Sequence, residues 1–133
     1  MDKTLASTVT TLKALAHPVR LRILAMLRGG ELCVCQMTAV LELAASTVSA
    51  HLADLKRAGL VGESKTGRWV IYRLLDEPWE NALLEPVRSR LASAPQIRAD
   101  AQLLRKLRKV DVAELCRVNL DLERLGIPRP GPD

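Results

Sequence analysis

The sequence predicts a mainly α-helical fold with one small β-hairpin, and two observations support this class. The chain contains two Trp, one Tyr and no Phe, so its interior must be built from Leu, Val, Ile and Ala, a composition that favours packed helices. A single β-rich run, residues 69–74, follows a polar stretch that contains glycine. At 133 residues, the chain is long enough for one compact domain and an appended element.

Two helices are expected at the start of the chain. Residues 4–16 place apolar side chains at helical spacing. His17 and Pro18 then interrupt the pattern, because the residue before a proline avoids helical geometry whereas proline suits the first turn of a new helix. The second helix should cover residues 19–28 and end at the two glycines that follow.

The next segment predicts two short helices joined by a tight turn. Residues 36–43 form a short amphipathic pattern, and Ala44 and Ala45 can make the turn. Ser46 is the expected N-cap of the following helix, since its hydroxyl can accept from amides of the first turn, and Gly59 should end that helix. This arrangement is a helix-turn-helix.

A β-hairpin with a basic tip should follow directly. Leu60 and Val61 lead into a polar tip with Gly62 and Gly67, and the β-rich run over residues 69–74 returns. A helix-turn-helix followed by such a hairpin is the sequence order of a winged helix.

The remainder of the chain predicts further helices. Pro78 can open a helix in which Pro86 should cause a kink or a break, and residues 93–95 resemble a linker. Residues 98–125 are helical and charged, with a split where Asp111 and Glu114 form a capping-box-like pair. After this split, one apolar stripe is expected from Leu115, Val118, Leu122 and Leu125. The expected organisation is a domain over residues 1–92, a helical extension over residues 93–125 and a disordered tail over residues 126–133.

Charge and composition restrict the partners. The formal charge of +5 and the sequence pI near 9.5 suit an anionic partner, most commonly nucleic acid. The sequence has no apolar run near the ~18 to 20 residues of a membrane span, and its first residues lack the apolar block of a secretion signal. We therefore expect a cytoplasmic protein that does not enter a membrane. In that reducing compartment, three cysteines are better explained by a metal or redox site than by disulfides.

Two of the cysteines, Cys33 and Cys35, lie one residue apart. In an α-helix, which advances about 100° per residue, their side chains would point to nearly opposite faces, whereas an extended segment places them on the same side. An ion held by both sulfurs therefore requires a non-helical start to this segment. Thiolates select soft ions, and the sequence offers no adjacent His, Asp or Glu cluster for a mixed-ligand zinc or nickel site. Cys116 is either a third ligand, from the same or a partner subunit, or a small packed side chain.

The fragments KALAHPVRLRIL, ELCVCQM, STVSAHLADLKRAGLV and GRWVIYRL resemble the ArsR family of bacterial winged-helix repressors that sense metals and metalloids, over roughly residues 10–92. The resemblance implies a homodimer formed by the first helix and the helix after the wing, and a repressor that an inducer releases from DNA. It also implies that Cys33 and Cys35 bind trivalent arsenic. Gln36 departs from the usual Asp, and Thr38 stands where some members have a third cysteine.

With three thiols, this resemblance favours As(III) or Sb(III) as the inducer, while Cd(II), Pb(II) and Cu(I) remain chemically possible. The same fold could also serve a zinc sensor, although zinc usually takes four ligands. A second hypothesis is a thiol redox or persulfide switch in which Cys116 resolves Cys33 or Cys35. An enzyme is not expected, because the sequence lacks a C-x-x-C pattern and a phosphate-cradling glycine loop.

Candidate DNA contacts come from the second helix of the helix-turn-helix and from the wing. The N-terminal residues of that helix face the major groove, namely Ser46, Thr47, Ser49, Ala50 and His51. His51 could instead be half-buried, and Lys56 and Arg57 could be contacts or a solvated face. By resemblance, Lys65 and Arg68 in the wing would contact phosphates or the minor groove. A twofold dimer should bind double-stranded DNA at an inverted repeat with half-sites ~34 to 36 Å apart.

Overall fold

The computed structural model describes residues 2–130. Its α-helices and strands are, in chain order, α1 (Lys3–Leu15), α2 (Pro18–Leu27), β1 (Leu32–Cys33), α3 (Val34–Leu41), α4 (Ala45–Arg57), β2 (Val61–Thr66), β3 (Trp69–Leu74), α5 (Pro78–Leu91), α6 (Pro95–Leu107) and α7 (Val112–Arg117). A short 3-10 helix, Leu122–Leu125, follows α7. The predicted class, mainly α with a small β-hairpin after a helix-turn-helix, is confirmed.

The first two helices begin where side chains can cap them. Asp2 accepts from the backbone N–H of Leu5 at 2.9 Å, and His17 Nδ1 accepts from the N–H of Val19 at 3.1 Å. Pro18 occupies the first turn of α2, as expected from its fixed backbone and missing N–H.

The helix-turn-helix consists of α3 and α4, but its turn differs from the expected one. Glu42 adopts a left-handed conformation with φ 57° and ends α3. Ala44 then precedes the first residue of α4, so the prediction that Ser46 is the N-cap is wrong. The left-handed residue turns the chain sharply enough for α4 to begin before the serine, whose side chain is exposed in the first turn.

The three strands form an antiparallel sheet in the order β1-β3-β2. Thr66 pairs with Trp69, so the hairpin turn contains only two residues, and Gly67 supplies the positive φ of 60° there. Gly62 was expected in the tip but pairs with Arg73 inside β2. The polar residues after Gly62 look like a loop in sequence because this part of the strand is exposed on both faces.

Strand β1 was not predicted, since two residues are too short to show a periodicity. Leu32 pairs with Tyr72, and Cys33 pairs with Ile71. The segment before the thiols is thus held at the edge of the sheet.

Helix α5 continues through Pro86, so the expected break does not occur. Proline removes one helical hydrogen bond and leaves the carbonyl four residues earlier without its partner. Both Pro86 and Ala82 are exposed, and water can therefore satisfy that carbonyl.

The C-terminal extension packs on the domain rather than following a free linker. Helix α6 begins at Pro95, within the stretch expected to be a linker. Arg22 of α2 donates from Nε and Nη2 to the two carboxylate oxygens of Asp100, each at 2.9 Å, and Gln96 donates to the same carboxylate at 2.9 Å. Because the Asp100 side chain is only 5% exposed, this ion pair is a buried anchor between α6 and α2.

Helix α7 starts at the predicted split. Asp111 caps it by accepting from the N–H of Ala113 at 2.8 Å, whereas Glu114 pairs with Arg117 instead of completing a capping box. The expected apolar stripe does not lie on one helix, because α7 ends at Arg117 and the next residues include two with positive φ, Asn119 and Leu120. Three of its members are nevertheless buried: Leu115, Val118 and Leu122.

The described part of the tail also differs from the expected disorder. Ile127 is 7% exposed and belongs to the same hydrophobic core as α2, α3 and α4. Arg129 donates from Nη2 to the backbone carbonyl of Ala39 at 2.7 Å. The apolar and polar contacts of residues 126–130 therefore hold them against α3, while residues 131–133 lie outside the described residues.

Candidate thiol site and nucleic-acid interface

Cys33 and Cys35 lie on the two sides of a strand-to-helix junction. Cys33 ends β1 and is the N-cap of α3, with extended backbone angles of φ −73° and ψ 149°. Its backbone N–H donates to Oε1 of Gln36 at 2.8 Å, and its side chain is buried. Cys35 lies in the first turn of α3 and is half-buried. The pair thus begins where regular helix has not yet started.

Cys116 of α7 lies directly against Cys35. Their Sγ atoms are 3.3 Å apart although 81 positions separate them in sequence. Burial, followed by the thiols of Cys116 and Cys33, raises the pKa of Cys35 to about 12. Cys35 therefore holds its proton at neutral pH. The contact also shows that α3 and α7 of one chain bring two thiols together.

Two sulfurs at this separation can contact one ion. With a metal–sulfur bond of about 2.3 Å, as for zinc, sulfurs 3.3 Å apart subtend about 90° at the ion. A tetrahedral angle at the same bond length would need a separation of about 3.8 Å.

The third thiol is not yet in place. Within residues 2–130, no three His, Cys, Asp or Glu side chains are arranged so that they could hold a metal ion. Cys33 lies two positions before Cys35, and its backbone is held by the pairing of β1 and by the bond to Gln36. A three-sulfur site therefore requires the three thiol side chains to come closer together than they are in this arrangement, although the backbone of Cys33 is already non-helical.

Thr38 lies in α3, one turn after Cys35, and is 7% exposed. Its hydroxyl is buried and has no hydrogen-bond partner among the described residues.

The N-terminal part of α4 presents a small polar face. Ser46, Thr47, Ser49 and Ala50 are all exposed. This is the part of a recognition helix that reaches base edges in the major groove.

His51 lies differently from these residues. Nε of Arg20 donates to Nδ1 of His51 at 3.1 Å, and the rings of His17 and His51 are 4.4 Å apart. Burial, then the nearby His17 and Arg20, lower the pKa of His51. The side chain faces the junction of α1 and α2 with α4, where its neutral form accepts a hydrogen bond.

The remaining candidate DNA residues are four cations, two at the end of α4 and two in the wing. Lys56 binds Glu63 of β2 at 2.6 Å, and Arg57 pairs with Asp54. Lys65 is exposed at the wing, and the guanidinium of Arg68 lies 4.9 Å from the ring centre of Trp69. Among the described residues, neither wing cation is in an ion pair, whereas Lys56 and Arg57 both are.

Two arginines that tie the extension to this region belong to no motif or periodic pattern in the sequence. Arg108 donates to the carbonyls of Glu31 at 3.1 Å and Gly30 at 3.2 Å, just before β1. Arg129 reaches Ala39 from a Pro-rich ending that carries no periodic pattern. Gln36 could have been found from its position three residues after the cap, but cysteine is not a usual capping residue.

None of the helices in the described range 2–130 is both long enough and apolar enough to span a bilayer.

A family model described as "Bacterial regulatory protein, arsR family" matches residues 17–63, which include Cys33 and Cys35 but not Cys116. The arsenic resistance transcriptional regulator ArsR1 of Pseudomonas putida is 45% identical over 78 residues, which are 56% of this chain and 61% of that protein. The chain thus matches less than two thirds of the length of this relative.

Solved structures agree with the fold. HlyU from Vibrio cholerae is 39% identical with a TM-score of 0.62, and the match covers 70% of this chain and all of that one. A homodimeric winged helix-turn-helix DNA-binding domain from Mycobacterium bovis, described as a possible ArsR-family regulator, is 30% identical with a TM-score of 0.58, covering 68% and 88% of the two chains.

Proposed function

Because the chain belongs to the arsR family of bacterial regulatory proteins, a family of DNA-binding transcriptional regulators, we propose that it is a repressor released from its operator by As(III) or Sb(III). The inducer would bind Cys33, Cys35 and Cys116. The single observation that carries this proposal is the 3.3 Å contact between the Sγ atoms of Cys35 and Cys116. It joins the C-x-C segment of the matched region to a thiol of the extension.

The protonation of Cys35 favours arsenic over divalent metals. Arsenous acid, As(OH)3, reacts with three protonated thiols to form three As–S bonds, and each thiol proton leaves with a hydroxide as water. A divalent cation must instead displace free protons, so its affinity falls as pH falls. A thiol whose pKa is raised to about 12 is therefore a larger obstacle for Cd(II), Pb(II) or Zn(II) than for arsenous acid.

Release of DNA would follow from the position of the third thiol. We infer that drawing the Cys33 thiol into one site with Cys35 and Cys116 strains the pairing of Cys33 with Ile71 and its backbone bond to Gln36. Both contacts hold the start of α3, and α3 leads through a three-residue turn into α4. The inducer lowers DNA affinity only as far as it binds the rearranged state better.

The partner is proposed to be double-stranded DNA carrying an inverted repeat, bound by a homodimer in the cytoplasm. Leu5 and Leu12 of α1 and Trp79 of α5 are the large apolar side chains of the described residues that are exposed, at 53%, 48% and 49%, and a dimer interface on α1 and α5 would cover them. These are the two helices implied by the resemblance, and the Mycobacterium bovis domain is a homodimer. Ser46, Thr47 and Ser49 would face base edges, while Lys65 and Arg68 would contact the backbone.

The test uses an inverted-repeat duplex selected by the wild-type protein from a random pool. We expect arsenite to weaken binding of reduced wild-type protein by about 5- to 150-fold, the usual range of such coupling. Cys33→Ser, Cys35→Ser and Cys116→Ser should each reduce this response while preserving DNA binding. Ser49→Ala, the matched control, should weaken DNA binding and leave arsenite binding unchanged.

The pH dependence of inducer binding between pH 6 and 8 distinguishes arsenite from divalent cations. Arsenite affinity should be nearly constant, whereas Cd(II) affinity should rise about tenfold per pH unit for each proton released. A Cys116→Ser variant with an unchanged arsenite dose response would remove Cys116 from the site. Unaltered DNA affinity of the wild-type protein in arsenite would reject the proposal as a whole.

A redox switch is the second candidate, supported by the same contact between Cys35 and Cys116. Peroxide would oxidise one thiol to a sulfenic acid with loss of water, and the other thiol would displace a second water to form the disulfide. The raised pKa of Cys35 disfavours the first step, because the thiolate is the reactive form. Loss of DNA binding with peroxide but not with arsenite, reversed by a reductant, would favour this candidate.

A further inference from the structure

The C-terminal extension contacts α3 at both of its ends. At the N-terminal end, Cys116 touches Cys35. At the other end, Nη2 of Arg129 donates to the carbonyl of Ala39 at 2.7 Å, and its Nε lies 3.1 Å from Oε1 of Glu42. Helix α3 is therefore held from outside at the place where an inducer would bind and at the place where the chain turns toward α4.

Both partners of Arg129 are suited to a cation. The carbonyl of Ala39 is in the last turn of α3, at the negative end of the helix dipole. Glu42 adds a carboxylate from the turn itself, where its left-handed conformation joins α3 to the segment that starts α4. Arg129 thus binds the end of α3 and the turn that leads to α4.

We propose that Arg129 is a positioning residue that transmits inducer binding from the start of α3 to the recognition helix; this rests on the proposed function. When both ends of α3 are tied to the extension, a rearrangement at Cys35 cannot be absorbed by unwinding the first turn alone. It displaces α3 and its turn relative to α4. Without Arg129, the carbonyl of Ala39 and the carboxylate of Glu42 lose their link to the extension, and less of the change reaches α4.

Arg129 contributes little to the stability of the fold. Its side chain is 34% exposed and that of Glu42 is 63% exposed, so their ion pair is screened by water. The core residue Ile127 and the buried pair of Arg22 with Asp100 hold the extension independently of this contact. Removal of Arg129 should therefore alter coupling without unfolding the extension.

The test compares full-length wild type, Arg129→Ala, Glu42→Gln and the matched control Arg124→Ala, which removes an exposed cation of the same segment. For each protein, affinity for the selected duplex is measured with and without arsenite, and arsenite affinity is measured without DNA. We expect Arg129→Ala to keep both separate affinities within about twofold of wild type. The arsenite-induced loss of DNA affinity should shrink about fivefold, equivalent to about 1 kcal/mol at 1.4 kcal/mol per tenfold.

Thermodynamic reciprocity gives an internal check, because DNA must weaken arsenite binding by the same reduced factor in Arg129→Ala. Glu42→Gln should show a smaller reduction of the same kind and serves if Arg129→Ala does not fold. The inference is overturned, and the proposed function is not, if the ratio of DNA affinities without and with arsenite is unchanged in both variants. This includes the case in which both DNA affinities drop by the same factor. A wild-type protein that ignores arsenite overturns the proposed function and this inference with it.

Discussion

Removal of Arg22 should destabilise the protein more than removal of its partner Asp100. In Arg22→Ala, the Asp100 carboxylate, only 5% exposed, would keep a single hydrogen bond from Gln96. Leaving a buried charge without its counter-ion typically costs about 3 to 5 kcal/mol, a large share of the ~5 to 15 kcal/mol that stabilises a domain. In Asp100→Ala, the guanidinium of Arg22 is 21% exposed and can turn to water, so we expect a loss of about 1 to 3 kcal/mol.

Urea unfolding at pH 7, followed by far-ultraviolet circular dichroism at one fixed protein concentration, measures these losses. The double variant should be more stable than Arg22→Ala alone, because it removes the buried charge together with its partner. Lys106→Ala, an exposed cation of α6, is the control and should change the free energy of unfolding by less than about 0.5 kcal/mol. A loss below about 1 kcal/mol in Arg22→Ala, or simple additivity in the double variant, would refute the assignment of this pair as a buried anchor.

Two further predictions concern single side chains of the domain. The pKa of His51 lies below its ordinary value, so the stability from its neutral form is complete above about pH 6.5 and is lost as pH falls through the lowered value. The free energy of unfolding should therefore drop between pH 7.5 and 5.5, less so in His51→Asn, whose amide oxygen can replace Nδ1; equal pH profiles would contradict this. DNA affinity that rises toward acid pH in wild type only would instead indicate a direct phosphate contact by His51. Thr38→Val should stabilise the protein by about 1 kcal/mol, because it removes a buried hydroxyl that has no partner among the described residues. Thermal unfolding measures this change, and a clear destabilisation would mean that the hydroxyl is satisfied in solution.

Much of the fold could be predicted because its signals are local. Pro18 marks the start of α2 and the polar tip around Gly67 marks the hairpin turn, each through its own backbone preference. The family that the sequence fragments resemble is confirmed by the match over residues 17–63 together with the similarity to solved relatives. The start of α4 was misplaced because Glu42, a residue with no special preference for a left-handed conformation, decides where the turn ends.

The candidate site was only partly predictable. Cys33 and Cys35 are conspicuous as a sequence pair, but the contact of Cys35 with Cys116 depends on how α7 packs on α3, across 81 positions. Spacing within one segment carries no information about such a contact. The same holds for Arg108 and Arg129. Both donate to backbone carbonyls, which every residue type carries, so no residue type in the sequence marks their partners.

Under the proposed function, the different exposures of the three thiols imply an order in which their bonds to the inducer form. Cys33 is 2% exposed and its backbone pairs within the sheet, whereas Cys35 and Cys116 are partly exposed. A metalloid would bond first to Cys35 and Cys116. Its bond to Cys33 would form only after a fluctuation of the sheet edge exposes that sulfur. Formation of the first two bonds would then be fast and reversible at low dose. Because the third bond forms slowly, a brief exposure would not release the repressor.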